Sequence, residues 1–400
     1  MARQKERHAT ANAARSREAI TDDRGWVDAA SRSWADYLID SDPRSRDQIE
    51  RWWATTPPEP MVGSRHHTVP RSYLERFAAA GQIYVRDRVT GIGALRNVKD
   101  TGAIKDFYTS INLDGQLDGR LERILSDIEG GAETVFRRLL NPFRKPRSLD
   151  PDEHLHVCIF LAFQLVRTPR HRREMELMGD YVIRATHEST PGIADVRVVP
   201  DPNLHLEYFT KNAPKLAEAL FDRPTTLLTI DSPLFITADE PVILEMAGNA
   251  SHVQHLATCY QTPGRDRQGI GMPDSTQLKH GDTIHVYPSR PGVDQAAAVA
   301  IPLNPRTLLT LGPKGEHQGQ PHHHLHGEEA MDLAEDVNAL LITHAYQWVA
   351  AHPEHRTFAG MVFSEPTPII QVCDGGTQFA RDLDRPPEPR QPQLRGRRGW

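Results

Sequence analysis

The most constraining feature of this sequence is a ten-residue stretch without a charged side chain, from Val157 to Val166. It has about half the length that a helix needs to cross a bilayer, so it does not predict a membrane span. A strong helix start precedes it, because residues 150–153 read Asp-Pro-Asp-Glu, with an N-cap, a first-turn proline and first-turn acids. A helix over 155–167 that is apolar on nearly every side must be covered by other elements, so we expect it at the centre of the fold.

The segments around this helix divide the chain into a helical half and a strand-rich half. Apolar residues recur at helical spacing over about 117–140 and 170–187, and a hairpin is predicted around the turn at Thr90-Gly91. From Thr225 onward the runs predicted as strands are 225–230, 234–237, 242–245, 283–287, 297–301, 307–311, 357–362 and 369–372, with one helix inserted at about 328–350. We therefore predict an α+β fold, in which a helical N-terminal half (65–222) packs on an antiparallel, strand-rich C-terminal half (224–375).

Both ends of the chain differ from this 65–375 core. Residues 1–60 contain four of the six tryptophans, on short predicted helices that a proline-rich linker follows. Residues 380–400 are rich in arginine and proline and poor in apolar side chains, which predicts a disordered tail. The tryptophan helices either dock on the core or contact a protein or RNA partner, and the tail is a second candidate for such a contact.

Charge and cysteine content argue against several classes of protein. The 53 acidic and 47 basic residues give a formal net charge of −6, so we do not expect nucleic acid to cover an extensive part of the protein surface. The three cysteines, Cys158, Cys259 and Cys373, form no C-x-x-C pair, which excludes a disulfide scaffold and a cysteine zinc cluster. No apolar segment follows the basic N-terminus as in a signal peptide, so we predict a cytoplasmic protein with no membrane partner. The sequence also lacks the phosphate loop, nucleophile elbow, HExxH and dinucleotide motifs.

Polar side chains on two predicted helices are candidates for a site. At 100° per residue, one edge of the apolar face of helix 117–140 carries Asp118, Glu122, Glu129 and Glu133. These acids could have raised pKa values or bind a hard metal ion, or they could form an ordinary solvated edge. On the central helix, Gln164 and Arg167 share a face, and an unpaired buried charge is costly, so we expect Arg167 to pair with one of these acids. That pair would belong either to a network that fixes helix packing or to an active site.

Residues 67–77, HTVPRSYLERF, resemble the H-x-V-P-x-x-Y-L-x-x-F opening of an uncharacterised microbial family. That family is catalogued as domain of unknown function number four thousand two hundred and thirty-eight. Later stretches are similar in the same order, at 106–109 (DFYT), 121–122 with 128–129, 164–170 (QLVRTPR), 235–242 (FITADEPV) and the helix near 337–338. The resemblance covers roughly 65–350, although Ala238 stands where the family is expected to have serine. It implies boundaries and candidate residues but no chemistry.

The family-like stretches and the helix phases together select the candidate site residues. His67 holds the family position and could be a general base or a metal ligand beside Glu122 and Glu129, or it could only hydrogen-bond the start of the next helix. Arg167 and Asp239 complete the predicted catalytic set, although an Asx-type turn would also require Asp239. The predicted substrate-binding residues are Arg71, Tyr108, Gln164 and Arg170.

Two further clusters have competing interpretations. Arg167, Arg170, Arg172 and Arg173 with His171 form a basic elbow that could hold a phosphate at a helix N-terminus, or could be a solvated face. The histidines of 322–326 can bind a metal ion opportunistically, but they fall in a predicted loop rich in Gly, Pro and Gln without matching carboxylates, which argues against a metal site there.

The sequence is compatible with two functions of different classes. The first is a metal-assisted hydrolase of a phosphate ester or nucleic acid, with one divalent ion held by His67, Glu122 and Glu129 and the phosphate bound by Arg167 and Arg170. The second is a non-catalytic interaction module, in which the same residues form a packing network and the ends of the chain bind a protein or RNA.

Overall fold

The computed structural model describes residues 65–111, 117–143, 147–193, 197, 202–246, 276–277, 283–288, 292–314, 322–355, 357–373, 377–382 and 384. The predicted tryptophan helices of 1–60 and residues 385–400 of the predicted tail lie outside these ranges. The described helices are α1 (Arg71–Leu74), α2 (Arg120–Leu139), α3 (Pro151–Val166), α4 (Pro169–Thr186), α5 (Pro202–Phe221) and α6 (Gly327–His344). None of them combines the length and the apolar composition that crossing a bilayer requires.

The described strands form one five-stranded sheet, two four-stranded sheets and two short two-stranded pairs. The first strands in the chain are β1 (Arg65–His67), β2 (Gln82–Asp87), β3 (Gly93–Asn97), β4 (Ala103–Lys105), β5 (Ser110–Ile111) and β6 (Leu117–Asp118). Those that follow α5 are β7 (Thr225–Ile230), β8 (Thr237–Ala238), β9 (Ile243–Met246), β10 (Thr276–Gln277), β11 (Thr283–Pro288), β12 (Ala296–Asn304), β13 (Thr307–Leu311), β14 (His322–Leu325), β15 (Trp348–Ala351), β16 (Ile370–Cys373) and β17 (Thr377–Ala380). The fold is α+β, as predicted.

Helix α3 is buried in the core, as its apolar stretch predicts. The Asp150 carboxylate accepts a hydrogen bond from the Glu153 backbone N–H, and the Glu153 carboxylate accepts one from the Asp150 backbone N–H, which completes a capping box. Every residue from Val157 to Val166 is buried. Edge-to-face aromatic contacts fix α3 against its neighbours, with Phe160 on Phe136 of α2 and Phe163 on Phe209 of α5.

The five-stranded sheet lies between the helical layer and α6. Its strand order is β14-β7-β13-β12-β9, and all of its pairs are antiparallel except β14 with β7. Neighbouring residues of β13 face opposite sides, because Leu309 joins the core of α3 and α5 whereas Leu308 joins the core under α6. The sheet therefore carries apolar packing on both faces.

The sheet β3-β2-β15-β8 takes strands from both predicted halves of the chain. Its hairpin, β2 with β3, confirms the predicted one, with Val85 opposite Ala94. On the other side of β2 lies β15, with Ala350 opposite Val85. A hydrogen bond of 2.6 Å from Arg88 Nε to the Ile342 carbonyl reinforces this junction. The other four-stranded sheet has the order β10-β11-β16-β17, and the short pairs are β1-β4 and β5-β6.

The predicted helical N-terminal half is wrong for residues 65–118, where strands dominate and the helical part of the chain begins only at Arg120. The helix expected directly after His67 is a single turn, α1, followed by the 3₁₀ turn Glu75–Phe77. The chain becomes extended at Ala78 and takes a positive φ of 49° at Ala80, which ends any helical continuation. The helices therefore lie in the middle of the family-like core.

Three predictions in the C-terminal half are also wrong. The long helix ends at His344, and Trp348–Ala351 is a fully buried strand, because sheet hydrogen bonds on both sides outweigh local helix preference. The strand predicted at 357–362 is instead the 3₁₀ turn Phe358–Gly360, since the carbonyls of Phe358 and Met361 accept hydrogen bonds from Arg86 Nη1. The predicted loop around His322 contains β14, and its pairing with β7 is parallel.

Candidate functional site

The site is built around Arg167, whose guanidinium is buried at the C-terminal end of α3. Nη1 donates a 2.7 Å hydrogen bond to Glu129 Oε1 on α2. Nε and Nη2 donate to Gln164 Oε1 one turn earlier on α3, at 3.1 and 2.8 Å. The arginine is 2% exposed, whereas Glu129 is 25% exposed, so the ion pair connects the core to the surface. The pairing of Arg167 with an acid of α2, which the helix phases predict, is present.

A second layer of contacts ties this ion pair to the first strands of the fold. Gln164 Nε2 donates to the Thr68 carbonyl at 2.9 Å, and the Tyr108 hydroxyl donates to the carbonyls of Arg167 and His67 at 3.3 and 3.4 Å. The Tyr108 backbone N–H donates to His66 Nδ1 at 2.7 Å, and the two rings stack with centroids 5.5 Å apart. Tyr108 and Gln164 are thus fixed in the same network as Arg167.

His66 is a member of this network that the sequence reasoning missed. Its ring is 3% exposed, and burial lowers its pKa. Alternation along β1 was the available signal, because adjacent side chains of a strand point to opposite faces, and His66 faces the core while His67 faces outward.

His67 lies at the rim of the cluster and is partly buried. Its Nε2 donates to the Lys99 carbonyl at 3.2 Å, which leaves Nδ1 as the ring atom with a lone pair. Burial lowers its pKa, and the charges that also act on it are Glu129, which raises the pKa, and Arg65 and Arg71, which lower it. Arg71, which was predicted to bind the substrate, is exposed, and its Nε donates a hydrogen bond to Glu75 at 2.9 Å.

Glu122 is the carboxyl of the cluster with the strongest shift. Burial, and next the charge of Glu129, raise its pKa to about 7, against the opposing effect of Arg167. Among the described residues, no side chain donates a hydrogen bond to the Glu122 carboxyl. Near neutral pH the group therefore occurs in both protonation states, which is the property of a general acid or base.

Arg170 and Asp239 belong to a different group of contacts. Arg170 is buried, and its guanidinium donates to Glu174 Oε1 at 3.2 Å and to the Pro368 carbonyl at 3.0 Å. Asp239 is also buried and accepts backbone N–H bonds from Tyr346 at 2.9 Å and Gln347 at 2.5 Å. Burial raises the pKa of Asp239 to about 6, against these N–H donors and Arg170. The structure thus places Asp239 as the anchor of the turn before β15.

The basic elbow does not present free cations to solvent. Arg172 Nη2 donates to the Phe107 carbonyl at 3.1 Å, and its guanidinium lies over the Phe107 ring. Arg173 pairs with Asp382 and Glu176. The elbow therefore fixes α4 against the surrounding chain.

Metal-ligand geometry within the described ranges occurs in one place. Of the side chains that the structure describes, the group Asp231, His324 and His326 alone offers three ligand atoms that all lie within 4.8 Å of one another. The atoms of the predicted metal ligands His67, Glu122 and Glu129 are farther apart, and a metal ion there stays a prediction. The expectation that the 322–326 histidines lack a matching carboxylate is wrong, because Asp231 lies at the end of the neighbouring strand.

Comparison with known protein families assigns the chain to one of them. The model of the family described as protein of unknown function (DUF4238) matches residues 65–355. The chain belongs to this family. The match confirms the resemblance, and the DUF4238 region contains every predicted site residue together with Asp231, His324 and His326. No curated protein and no solved structure matches the chain.

Proposed function

We propose that this protein is a hydrolase of a phosphate ester or nucleic acid, with the cluster of Glu122, Glu129 and Arg167 as its reaction centre. The observation that carries the proposal is a partly buried carboxyl, Glu122, beside a second carboxylate that a buried arginine holds by an ion pair. Two carboxyls in such different surroundings can divide the work of proton transfer and charge stabilisation. The three widely spaced cysteines of the chain support a location in the cytoplasm.

In the proposed reaction Glu122 acts as the general base. Its ionised form takes a proton from water, the water oxygen forms a bond to phosphorus, and the P–O bond to the leaving alcohol breaks. The leaving oxygen then takes a proton from solvent. Arg167 holds Glu129 by an ion pair, and the negative charge of Glu129 raises the pKa of Glu122 toward the range where a base works at neutral pH.

The exposed cations at the rim supply a site for the anionic part of the substrate. Arg71 and Arg65 both act electrostatically on His67, so the two guanidiniums, the imidazole and Glu129 lie in one neighbourhood. Both arginines are more than half exposed and each pairs with one exposed acid, which a phosphate can displace at little cost. This arrangement favours an anionic ester over a neutral substrate.

The experiment uses the full chain and follows hydrolysis of bis(p-nitrophenyl) phosphate, p-nitrophenyl phosphate and fluorescent RNA and DNA oligonucleotides, with and without added divalent ions. Glu122→Gln keeps the shape of the side chain but removes its basicity, and we expect rates to fall by about 10²–10⁴-fold. Asp127→Asn, at an exposed position of the same helix, is the matched control and should leave the rates unchanged. Absence of hydrolysis under all conditions, or full activity in Glu122→Gln, overturns the proposal.

The metal-assisted form of the proposal has its own test. Elemental mass spectrometry of the purified protein is compared with that of a His67→Ala/Glu122→Ala variant. About one equivalent of Mn, Zn or Fe that a folded variant loses supports an ion at these residues. Activity that depends on Glu122 without such an ion supports proton transfer alone.

A non-catalytic interaction module is the second candidate. The observation in its favour is that the Arg167 guanidinium donates from all three of its nitrogens within the chain, to Glu129 and Gln164, as in a network that fixes helix packing. In this case a protein or RNA partner would bind the N-terminal tryptophan segment or the C-terminal arginine-rich segment. A chain that lacks hydrolytic activity but loses a partner when residues 1–60 are deleted would favour the module.

A further inference from the structure

The two parallel strands of the five-stranded sheet end side by side at a group of imidazole and carboxylate side chains. β7 and β14 pair in register from Leu227 opposite His322 to Ile230 opposite Leu325. Asp231 follows the last residue of β7, and His326 follows the last residue of β14. Because side chains two residues apart in an extended strand share a face, His324 and His326 point to the same side, toward Asp231.

The distances among these three side chains are slightly shorter than those of atoms that share one metal ion. His324 Nε2 lies 2.8 Å from Asp231 Oδ1, and His326 Nδ1 lies 2.8 Å from Asp231 Oδ2. Two ligand atoms that are each about 2.1 Å from an ion lie roughly 3.0–3.4 Å apart, so small side-chain rotations are enough to admit the ion. The three side chains are 60%, 40% and 69% exposed for Asp231, His324 and His326, which leaves an open path from solvent.

The Thr229 hydroxyl orients one of the two imidazoles. The Thr229 hydroxyl lies 2.7 Å from His324 Nδ1 and 3.3 Å from the His323 carbonyl. When an ion replaces the Nε2 proton that His324 otherwise donates to Asp231, the hydroxyl can accept Nδ1–H from the imidazole while it donates to the His323 carbonyl, and this tautomer directs the Nε2 lone pair at the ion. Without an ion, the Asp231 carboxylate accepts hydrogen bonds from Nε2–H of His324 and Nδ1–H of His326, and a bound ion would take the place of these two protons. Arg306 is the neighbouring cation, but its Nε donates to the Asp231 backbone carbonyl.

We propose that Asp231, His324 and His326 form a binding site for a divalent first-row transition-metal ion, for which zinc is the probe. Two imidazoles and one carboxylate are the ligands that borderline ions such as Zn²⁺ and Fe²⁺ accept, and they do not suit Mg²⁺ or Ca²⁺. Three protein ligands leave at least one coordination position for water or a substrate oxygen. The ion would connect the ends of β7 and β14 to the start of α6, whose N-cap is His326. This site is independent of the proposed hydrolase centre.

The test is calorimetric titration of the metal-free full chain with ZnCl₂. We expect one site whose dissociation constant rises in Asp231→Asn and in His326→Ala by more than the roughly 10–100-fold that loss of a residue hydrogen-bonded to a ligand causes. Thr229→Val should fall within that 10–100-fold range. His323→Ala is the matched control, because His323 is the exposed neighbour on the opposite face of β14, and its binding should equal that of the wild type.

A second measurement, thermal unfolding with and without zinc, shows whether the ion stabilises the folded protein. Zinc should raise the midpoint of thermal unfolding of the wild type and of His323→Ala, and should have no such effect on Asp231→Asn. The three ligands are surface residues, so the variants should fold, and their unfolding without zinc checks this. No zinc binding by the wild type, unchanged affinity in both ligand variants, or an equal loss in His323→Ala overturns the proposal. A zinc site that only His67→Ala abolishes would belong to the hydrolase centre and would also overturn it.

Discussion

Glu122→Gln should make the protein more stable than the wild type, and this gain should be larger in alkaline solution than in acid. Burial and the charge of Glu129 raise the pKa of Glu122 from its ordinary 4.5 to about 7. This difference corresponds to about 3 kcal/mol, which we reduce to about 2 kcal/mol because the carboxyl is only partly buried. An acid whose pKa is higher in the folded state binds its proton more tightly there, so its ionisation destabilises the fold as pH rises from 4.5 through 7. At pH 8 the penalty is complete, and glutamine removes it.

The assay is urea unfolding at pH 5 and at pH 8, followed by circular dichroism and by tryptophan fluorescence. We expect Glu122→Gln to raise the free energy of unfolding by about 2 kcal/mol at pH 8 and by less than about 1 kcal/mol at pH 5. Glu129→Gln is the matched control on the same helix, and it should lower stability by about 2–3 kcal/mol at pH 8, because buried Arg167 loses its counter-ion. An equal gain for Glu122→Gln at both pH values, or a loss at pH 8, would refute the reasoning.

Three further substitutions test the structural contacts by the same urea assay. Arg167→Met should cost about 3 kcal/mol, because Glu129 stays partly buried without a counter-ion, and a cost below about 1 kcal/mol would contradict the buried pair. Asp150→Ala should cost about 1 kcal/mol through loss of the capping box of α3, and Asp150→Asn should restore most of it. Tyr73→Phe should cost about 1–2 kcal/mol, because its buried hydroxyl bonds the Thr237 hydroxyl at 2.9 Å, and a neutral result would argue against that bond.

The elements that sequence predicted best are those with strong local signals. The helix start at Asp150 and the β runs of β7 and β13 have the predicted positions, since capping chemistry and β-branched residues act within a few residues. Trp348–Ala351 was mistaken for helix because an apolar run that is buried on all sides has no periodicity to distinguish the two states. What makes it a strand is pairing with β2, which no local window contains.

In the candidate site, too, the contacts that depend on local signals were predictable and those that depend on distant segments were not. The pairing of Arg167 with an acid of α2 was predictable, because helix phase fixes which side chains face each other and a buried cation needs a partner. His66 was missed because strand alternation places two adjacent histidines on opposite faces but does not say which face is the core, and that is known only from the burial of β1. The Asp231–His324–His326 group was beyond local reasoning, since it depends on β14 lying parallel to β7 across 93 residues of sequence.

The position of β15 beside β2 has a consequence for synthesis of the protein. Arg88 and Ile342, which the ribosome adds 254 residues apart, are hydrogen-bonded in the finished fold. At about 5–20 residues per second, the β2–β3 hairpin waits on the order of 10–50 s for the strand that covers its edge. During that interval Ile83 and Val85, both buried in the native state, are available to chaperones or to other nascent chains. Substitutions that weaken β15 should therefore reduce the yield of soluble protein in cells more than they reduce the melting temperature of the protein that does fold.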